Sequence, residues 1–291
     1  MNGIIVIDKP QGMTSHDVVS FLRRKTGVKR IGHSGTLDPM ATGVLPVFIG
    51  KATRIIEYSG KPDDQEAKLY RCTMKLGIET DTQDIWGTVL ETSNYSIDAN
   101  EIKRVLKDFI GPGSQKPPMY SAVKVDGRKL YEYARKGVAV NEETIKERKI
   151  YIKHIEVNEI NIEKGEVSFD VLCSKGVYIR TICADAGRLL GCGAVMSGLI
   201  RLKSDGFSIE SAVDLEGEIP PLIPLDEPLS WIPRVTVEDK NALGFTQGKT
   251  IGFEDSRILS GIVRVYRDGE LLGIGIKNDI GIKPKKVLVQ L

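Results

Sequence analysis

A stretch of fifteen residues, 32–46, limits what this chain can fold into more than any other part of the sequence. It contains three glycines, two prolines, one histidine and one carboxylate, and its end enters the apolar run 44–49. Glycine permits backbone conformations that other residues resist. The pattern therefore predicts a tight loop with an unusual backbone path that leads into a buried strand. The loop carries His33 and Asp38, and loops on rigid scaffolds are where chemistry tends to sit.

Asp38 has an ordinary interpretation as well as a chemical one. An aspartate followed by a proline is typical of a helix N-cap with proline at the first helical position. The residues that follow contain Gly43 and Pro46 and cannot sustain a helix for Asp38 to cap. His33 adds a second ionisable group five residues earlier. The loop is therefore a candidate catalytic loop.

Length and charge bound the class of protein. With 291 residues, the chain is long enough for one large domain and a small one. Its net charge of +2 excludes a uniformly basic surface. Basic clusters at 23–30 and 146–149 remain, and the first lies just before the candidate loop, where it could grip a phosphate backbone.

Cysteine and histidine usage points away from a metal site. The four cysteines form no C-x-x-C pair and no zinc spacing, and the chain has only three histidines. Buried, reduced thiols are the default expectation. The sequence begins without a signal peptide and has no apolar run of transmembrane length, so we expect a cytoplasmic protein without a membrane partner.

The periodicity of the chain favours an α+β fold. Residues 67–77 alternate with a period of two, as a half-buried strand does, and place Tyr70 on the apolar face. Residues 149–161 and 165–174 read as an antiparallel hairpin, and a helix is expected to follow residue 178 and run to about residue 190. Helices and hairpins are interspersed, so we expect a mixed, mostly antiparallel sheet with flanking helices.

A proline-rich break, 215–233, separates a small C-terminal module from the rest. Beyond it, short apolar strands are expected at 261–265, 271–276 and 287–291. The module is too small to build an elaborate active site, so binding is its expected role. We divide the chain into a catalytic domain, 1–228, and a β-rich binding domain, 229–291.

Five segments, in order, resemble motifs of the bacterial tRNA pseudouridine-55 synthases, the TruB family. They cover nearly all of the first 205 residues, and the C-terminal module is similar to a short PUA-type RNA-binding domain. The segments are Asp8-Lys9-Pro10 with Gly12 and Thr14-Ser15; Gly32 to Pro46; Tyr70 with Leu76-Gly77, Thr80-Asp81-Thr82 and Asp84; Pro117 to Ala122 with Lys124; and Ser174-Lys175-Gly176 with Tyr178-Ile179-Arg180.

The resemblance implies a pseudouridine synthase fold and an isomerase that needs no cofactor and no metal. Its substrate would be uridine 55 in the T-loop of the tRNA TΨC arm, which must be flipped out of the stacked loop. The enzyme would work as a monomer, with no protein partner required. The N1–C1′ glycosidic bond breaks, and the uracil is rejoined through C5. Such a reaction requires a carboxylate at the sugar and a site that keeps water out.

The resemblance assigns three residues to catalysis. Asp38 matches the nucleophile. Arg180 matches the arginine that pairs with this aspartate and keeps it ionised and oriented. Tyr70 matches the residue that stacks on the flipped uracil, and it is a candidate base. A tyrosine has a reference pKa near 10, so stacking is the firmer of its two roles.

Four further residues are expected to bind substrate. By resemblance, Tyr178 and Leu199 line the uracil pocket, His33 helps to turn out the nucleotide, and Asp84 belongs to the motif that follows Tyr70. Each also has a purely structural interpretation. Tyr178 and Leu199 would serve equally well in an apolar core, and Asp84 would serve as a turn residue that hydrogen-bonds its own backbone.

Three other classes stay open on the sequence. A non-catalytic RNA-binding protein could use the same pocket, although Asp38, Tyr70 and Arg180 are all present. A carboxylate glycosidase or nucleoside hydrolase would need a second acid or a water-activating group, and the Asp38 loop supplies none. A different pseudouridine synthase family would be expected to lack the motif G-T-L-D-P-x-A-T-G-V-L-P.

Overall fold

The computed structural model describes residues 1–61, 64, 66–253 and 260–289. The helices of this part are α1 (Ser15–Thr26), α2 (Ala99–Lys107), α3 (Leu130–Arg135), α4 (Ile179–Leu189) and α5 (Asp239–Thr246). The strands are β1 (Gly3–Lys9), β2 (Ile31–His33), β3 (Thr42–Ile49), β4 (Lys68–Leu76), β5 (Ile78–Thr80), β6 (Val89–Thr92), β7 (Gly111–Gln115), β8 (Lys124–Val125), β9 (Arg128–Lys129), β10 (Arg148–Asn161), β11 (Glu166–Cys173), β12 (Ala194–Ser204), β13 (Phe207–Ser208), β14 (Val213–Asp214), β15 (Arg234–Thr236), β16 (Gly261–Arg267), β17 (Glu270–Asn278) and β18 (Gly281–Val287).

One large sheet forms the body of the molecule. Its strand order is β14-β1-β3-β12-β4-β11-β10-β7, with β2 paired to β3 and β13 to β12. The pairs β1–β14 and β3–β12 are parallel, and the others are antiparallel. The expected α+β fold with a mixed, mostly antiparallel sheet is confirmed. Strand β12 begins at Ala194, although the apolar run 199–203 in the sequence indicates a strand only from residue 199.

The middle of the sheet is covered on both faces. On β1, Ile5 and Ile7 pack with α1, while Ile4 and Val6 belong to a separate cluster on the opposite side. This double burial explains why the strand is continuously apolar instead of alternating. Strand β4 does alternate, and its Cys72, Met74 and Leu76 pack with β11, α2 and α4. The loops between these central strands therefore emerge from a rigid scaffold.

In the sequence, Thr14-Ser15 is a helix start signal and Gly27 a stop signal, and helix α1 lies between them. The Thr14 side chain accepts a hydrogen bond from the Asp17 backbone, and the Asp17 carboxylate accepts one from the Thr14 backbone in return. Such a capping box satisfies two otherwise unpaired helix donors. The helix ends at Gly27, which adopts the left-handed conformation that favours glycine.

The C-terminal segment forms a second, four-stranded sheet in the order β15-β16-β17-β18, with α5 packed against it. The strands expected at 261–265 and 271–276 lie within β16 and β17. The strand expected at 287–291 is wrong: β18 is Gly281–Val287, and residues 290–291 lie outside the described part. Strand β18 contains Pro284 and lies at the edge of its sheet, where proline is tolerated.

The proline-rich segment 215–233 is packed against the body of the protein. Ile223 forms an antiparallel bridge with Ile4, and Trp231 donates a hydrogen bond from Nε1 to the carbonyl of Tyr58 at 3.1 Å. Leu229 is fully buried in the same cluster as Ile4. Prolines here shape a fixed path over the surface of the sheet.

The two sheets share an apolar core. Ile4 and Phe48 of the large sheet lie in one buried cluster with Ile274 and Leu288 of the C-terminal segment. At its edge, the Arg54 guanidinium donates to the Val287 carbonyl, and Lys286 Nζ lies 2.6 Å from Glu57 Oε1. No helix of the described part is long and apolar enough to cross a membrane.

Candidate active site

The candidate loop joins β2 to β3, and its first anchor is Lys9, at the end of β1. The Lys9 ammonium is buried and donates to the carbonyls of Pro39 at 3.1 Å, Met13 at 2.6 Å and Pro10 at 2.8 Å. Burial lowers its pKa to about 8. Lys9 therefore ties the residue after Asp38 to the turn between β1 and α1.

The start of α1 supplies a second anchor on the same side. Ser15 Oγ accepts a hydrogen bond from the Leu37 backbone N–H at 2.9 Å, and the backbone N–H of Gly12 donates to the Pro39 carbonyl at 2.8 Å. Leu37 itself is buried. The backbone on both sides of Asp38 is thus hydrogen-bonded to the β1–α1 region.

Arg201 of β12 holds the other side of the loop. Its side chain is 1% exposed and donates to the carbonyls of Val44 at 2.7 Å, Gly35 at 3.1 Å and Thr36 at 3.4 Å. The sequence analysis did not identify this residue. A lone arginine in the apolar run that starts at Leu199 was the available signal, and it does not distinguish an exposed side chain from a buried one.

Gly43 makes this contact between β3 and β12 feasible. Its φ is +97°, and a Cβ built there would lie 2.3 Å from the Arg201 carbonyl oxygen. Only glycine combines this backbone conformation with so close an approach. The glycine density of the loop therefore reflects a real constraint on its path.

Asp38 projects from the anchored loop towards Arg180, in the first turn of α4. Arg180 Nε lies 3.0 Å from Asp38 Oδ2. The arginine side chain is 6% exposed, whereas that of Asp38 is 39% exposed. The carboxylate is therefore held by a buried cation and remains open to a ligand. The guanidinium also donates to the carbonyls of Thr82 at 3.0 Å and Tyr120 at 2.9 Å.

Asp84 reaches the same guanidinium. Its Oδ2 lies 3.6 Å from Arg180 Nη1, and its Oδ1 accepts hydrogen bonds from Thr82 Oγ1 at 2.7 Å and the Trp86 backbone at 3.2 Å. Burial raises the pKa of Asp84. Asp84 therefore makes the turn contacts with Oδ1 and faces Arg180 with Oδ2, and its role towards substrate stays a prediction. A second carboxylate therefore comes near Asp38 from a different loop.

Tyr70 lies on β4 directly opposite Arg201 of β12. The side chain is partly buried, and burial raises the pKa of its hydroxyl to about 12, an effect that the Arg201 cation partly opposes. The hydroxyl is therefore protonated at neutral pH in this structure. Arg201 thus touches the candidate loop and also acts on the candidate stacking residue.

Comparison with known proteins decides the family. A family model described as TruB family pseudouridylate synthase (N terminal domain) matches residues 23–179. A second model, described as pseudouridine synthase II TruB, C-terminal, matches residues 233–288. The chain belongs to the TruB family. The resemblance of its five motifs is thereby confirmed.

Curated relatives named tRNA pseudouridine synthase B match along most of the chain. The one from Alkaliphilus oremlandii is 45% identical over 289 residues, which span 95% of this chain and 93% of the relative. The one from Clostridium novyi is 41% identical over 99% of this chain and 100% of the relative.

Solved structures support the same fold. A crystal structure of a Cbf5-Nop10-Gar1 complex has a chain that aligns with a TM-score of 0.71 and 26% identity, over 99% of this chain and 85% of that chain. A structure of an H/ACA RNP bound to a substrate RNA containing 2′-deoxyuridine aligns with a TM-score of 0.69 and 25% identity, over 99% and 85%.

The remaining expected residues of this TruB-family chain lie on three separate elements. His33 ends β2; burial lowers its pKa, and its Nδ1 is buried without a hydrogen-bond partner. Tyr178 caps the start of α4, where its backbone exchanges hydrogen bonds with the Gln115 side chain. Leu199 lies on β12 opposite Cys72 and packs partly buried against the larger core. The roles of these three residues stay predictions.

Two cations of the basic cluster at 23–30 hydrogen-bond to backbone carbonyls of the protein. Arg23 donates to the Ile31 carbonyl at 3.0 Å, and the Lys25 ammonium donates to the carbonyls of Leu215 at 3.1 Å and Glu216 at 2.8 Å. These two cations tie α1 to neighbouring loops. These structural contacts are an alternative to the prediction that the cluster binds the phosphate backbone.

The cysteines fit the expectation of buried, reduced thiols. The four cysteines are free and buried, with the Sγ atoms of Cys72 and Cys183 3.5 Å apart. Within the described ranges, no group of three or more His, Cys, Asp or Glu side chains is placed to hold a metal ion.

Proposed function

We propose that this TruB-family chain converts uridine 55 in the T-loop of tRNA to pseudouridine, with Asp38 as the nucleophile. One observation carries the proposal: a partly exposed carboxylate lies 3.0 Å from a buried guanidinium, on a loop hydrogen-bonded on both sides. The names of the curated relatives support tRNA as the substrate. The assignment of position 55 in the T-loop rests on the resemblance of the motifs around Asp38.

The proposed chemistry uses the ion pair directly. Asp38 stays ionised beside Arg180 and acts on C1′ of the flipped nucleotide, while the N1–C1′ bond breaks. The released uracil turns, a bond forms between C5 and C1′, and Asp38 departs. The C5 proton is lost to solvent and N1 takes up a proton, so composition is unchanged. Two directed Arg180 contacts fix the carboxylate geometry for attack.

Tyr70 is proposed to stack on the uracil. A hydroxyl with a pKa of about 12 contributes little phenolate at neutral pH, which favours stacking over proton removal in the free enzyme. Tyr178 and Leu199 would line the uracil pocket, and His33 would help to turn out the nucleotide. Asp84 would keep Arg180 in place from the side opposite Asp38.

We further propose that residues 1–228 form the catalytic domain and residues 229–291 a PUA-like RNA-binding domain. The separate family matches at 23–179 and 233–288 support this division. The chain would bind the T-arm as a monomer in the cytoplasm, without a protein partner, a cofactor or a metal.

Tritium release from tRNA labelled at C5 of uridine tests the proposal. Purified chain, with chelator and no added cofactor, should release tritium from unmodified tRNA, and the product should map to position 55. Asp38→Asn should reduce release by at least about 10⁴-fold, because an amide cannot act as the nucleophile.

Asp108→Asn is the matched control, because it neutralises an exposed carboxylate at the end of α2. It should leave the rate unchanged. Release of free uracil would instead indicate a hydrolase. Tight tRNA binding without tritium release would indicate a protein that only holds RNA. Activity in Asp38→Asn would remove Asp38 from its assigned role.

A further inference from the structure

Trp86 is an exposed aromatic side chain on the loop between β5 and β6. Its side chain is 42% exposed. Tryptophan has a large apolar surface and is highly buried on average, so an exposed indole calls for an explanation. The chain has only one other tryptophan, Trp231, which packs at the junction with the C-terminal segment.

The loop that carries Trp86 is tightly built. The Thr88 backbone N–H donates to Asp81 Oδ1 at 2.8 Å, and Thr80 Oγ1 donates to the Asp84 carbonyl at 2.7 Å. A Cβ at Gly87 would lie 2.2 Å from Thr82 Oγ1, so no larger residue fits there without rearrangement. The indole is therefore displayed from a fixed backbone, which limits the entropy lost when it binds a ligand.

The same loop is continuous with the candidate active site. The Trp86 backbone N–H donates to Asp84 Oδ1, whose partner oxygen faces Arg180, and Arg180 pairs with Asp38. The Ile85 backbone also donates to the Met196 carbonyl of β12 at 2.9 Å. The loop that carries Trp86 therefore adjoins the Asp38–Arg180 pair, where the proposed target nucleotide reacts.

We propose that Trp86 is a second stacking platform, which takes an unpaired nucleobase of the RNA substrate next to the flipped uridine. This inference rests on the proposed function. Flipping one nucleotide out of a stacked loop leaves neighbouring bases without their stacking partners, and any base offers a face to an aromatic ring. The exposed Asp81 carboxylate in the same loop disfavours phosphate, so a base fits here better than the RNA backbone.

Binding of an unmodified T-arm stem-loop RNA to substituted chains tests the platform. Trp86→Ala should weaken the affinity about tenfold, the typical effect of losing one base–aromatic stack. Trp86→Phe keeps an aromatic face and should stay within about threefold of the native chain. Leu189→Ala is the matched control, because it removes an exposed apolar side chain at the far end of α4, and it should leave both affinity and activity unchanged.

Tryptophan fluorescence gives an independent readout, because a purely structural role of Trp86 would not make its emission respond to RNA. The Trp231→Phe chain has Trp86 as its only tryptophan, and the Trp86→Phe chain has only Trp231. Stacking on a base should quench the emission of the first chain as the stem-loop RNA is added. The emission of the second chain should change little.

Either of two results overturns the inference while the proposed function stands: pseudouridine forms but Trp86 emission does not change, or Trp86→Ala binds RNA as tightly as the native chain. If Trp86 instead covers a second copy of the chain, Trp86→Ala will lower the sedimentation coefficient and leave RNA affinity intact, which also refutes the inference. Failure of the proposed function itself would appear as no pseudouridine in the native chain.

Discussion

Arg180 is the residue on which the candidate site depends most. Its buried guanidinium contacts two carboxylates, Asp38 and Asp84, and two backbone carbonyls. A buried cation is costly unless its donors are all satisfied. In the proposed mechanism, Asp84 would remain as a counter-charge for Arg180 during the step in which Asp38 reacts.

Substitutions of Asp38 and Asp84 should have strongly non-additive effects on the free energy of unfolding. Asp38→Asn should cost about 1 kcal/mol, because the Asp38 side chain is substantially exposed and Asp84 still pairs with the cation. The double substitution Asp38→Asn, Asp84→Asn should cost about 3 kcal/mol or more beyond the sum of the single changes, because it leaves Arg180 buried without a counter-charge. Urea unfolding of the four chains measures this. Additive losses would show that the charges act independently.

Substitutions of Tyr70 should distinguish stacking by its ring from hydrogen bonding by its hydroxyl. Tyr70→Phe retains the ring and should bind a T-arm stem-loop RNA within about threefold of the native affinity. Tyr70→Ala should bind about tenfold more weakly, because it removes the stacking surface. A filter-binding titration at fixed salt compares them. Equal affinities for all three chains would refute the stacking role and leave the hydroxyl as the functional group.

At the scale of elements, the parallel contact between β3 and β12 positions the loop. Gly43 and Arg201 are register partners there, and Arg201 reaches from the same pairing to Gly35 and Thr36. The position of the candidate loop is therefore set by two strands as well as by contacts within the loop.

Gly43→Ala should disturb both stability and activity. The new Cβ would clash with the Arg201 backbone at a positive φ, which should cost about 3 kcal/mol. Gly206→Ala is the control, since Gly206 has φ +91° but no atom within 4 Å of the added Cβ. It should cost about 1 kcal/mol and leave activity intact. Thermal melts and tritium release measure both, and equal losses would rule out the close approach as the cause.

Local signals in the sequence predicted the elements that carry the site, but not the contacts that hold them. The alternation of β4 and the caps of α1 are short-range patterns, and both proved correct. Arg201 was missed because its partners lie more than 150 residues away in sequence. Helix α5 was missed because it is short and contains Gly244, so its stability comes from packing on the second sheet.

At the scale of the whole molecule, the boundary between the two sheets is a shared core. Phe48 of β3 belongs to the same buried cluster as Ile274 of β17, and β3 also bears the end of the candidate loop. Composition indicated a boundary near the prolines, but it could not show that this region is packed against the large sheet. That depends on which apolar faces meet in three dimensions.

The chain should therefore unfold as one unit. Ile274→Ala should lower the free energy of unfolding of the whole molecule by about 3 kcal/mol, because it opens a cavity in the shared core. Trp231 emission and far-ultraviolet circular dichroism should report a single, coincident urea transition.

A matched change within the second sheet provides the comparison. Val263→Ala removes methyl groups from a cluster confined to the C-terminal segment. If the two sheets fold independently, Ile274→Ala will split the transition in two and Val263→Ala will shift only the second. A single transition in both variants is the result that supports a shared core.

The order of strands across the large sheet has a consequence for synthesis. Strand β12 lies between β3 and β4, which are both made far earlier, and Arg201 bonds to Thr36 across 165 residues of chain. Contacts of such separation form only after the intervening chain exists. On the ribosome, the nascent polypeptide thus carries the candidate loop without the Arg201 contacts until β12 emerges. An N-terminal product of interrupted translation that ends before β12 would therefore lack the contacts that fix the Asp38 backbone in place.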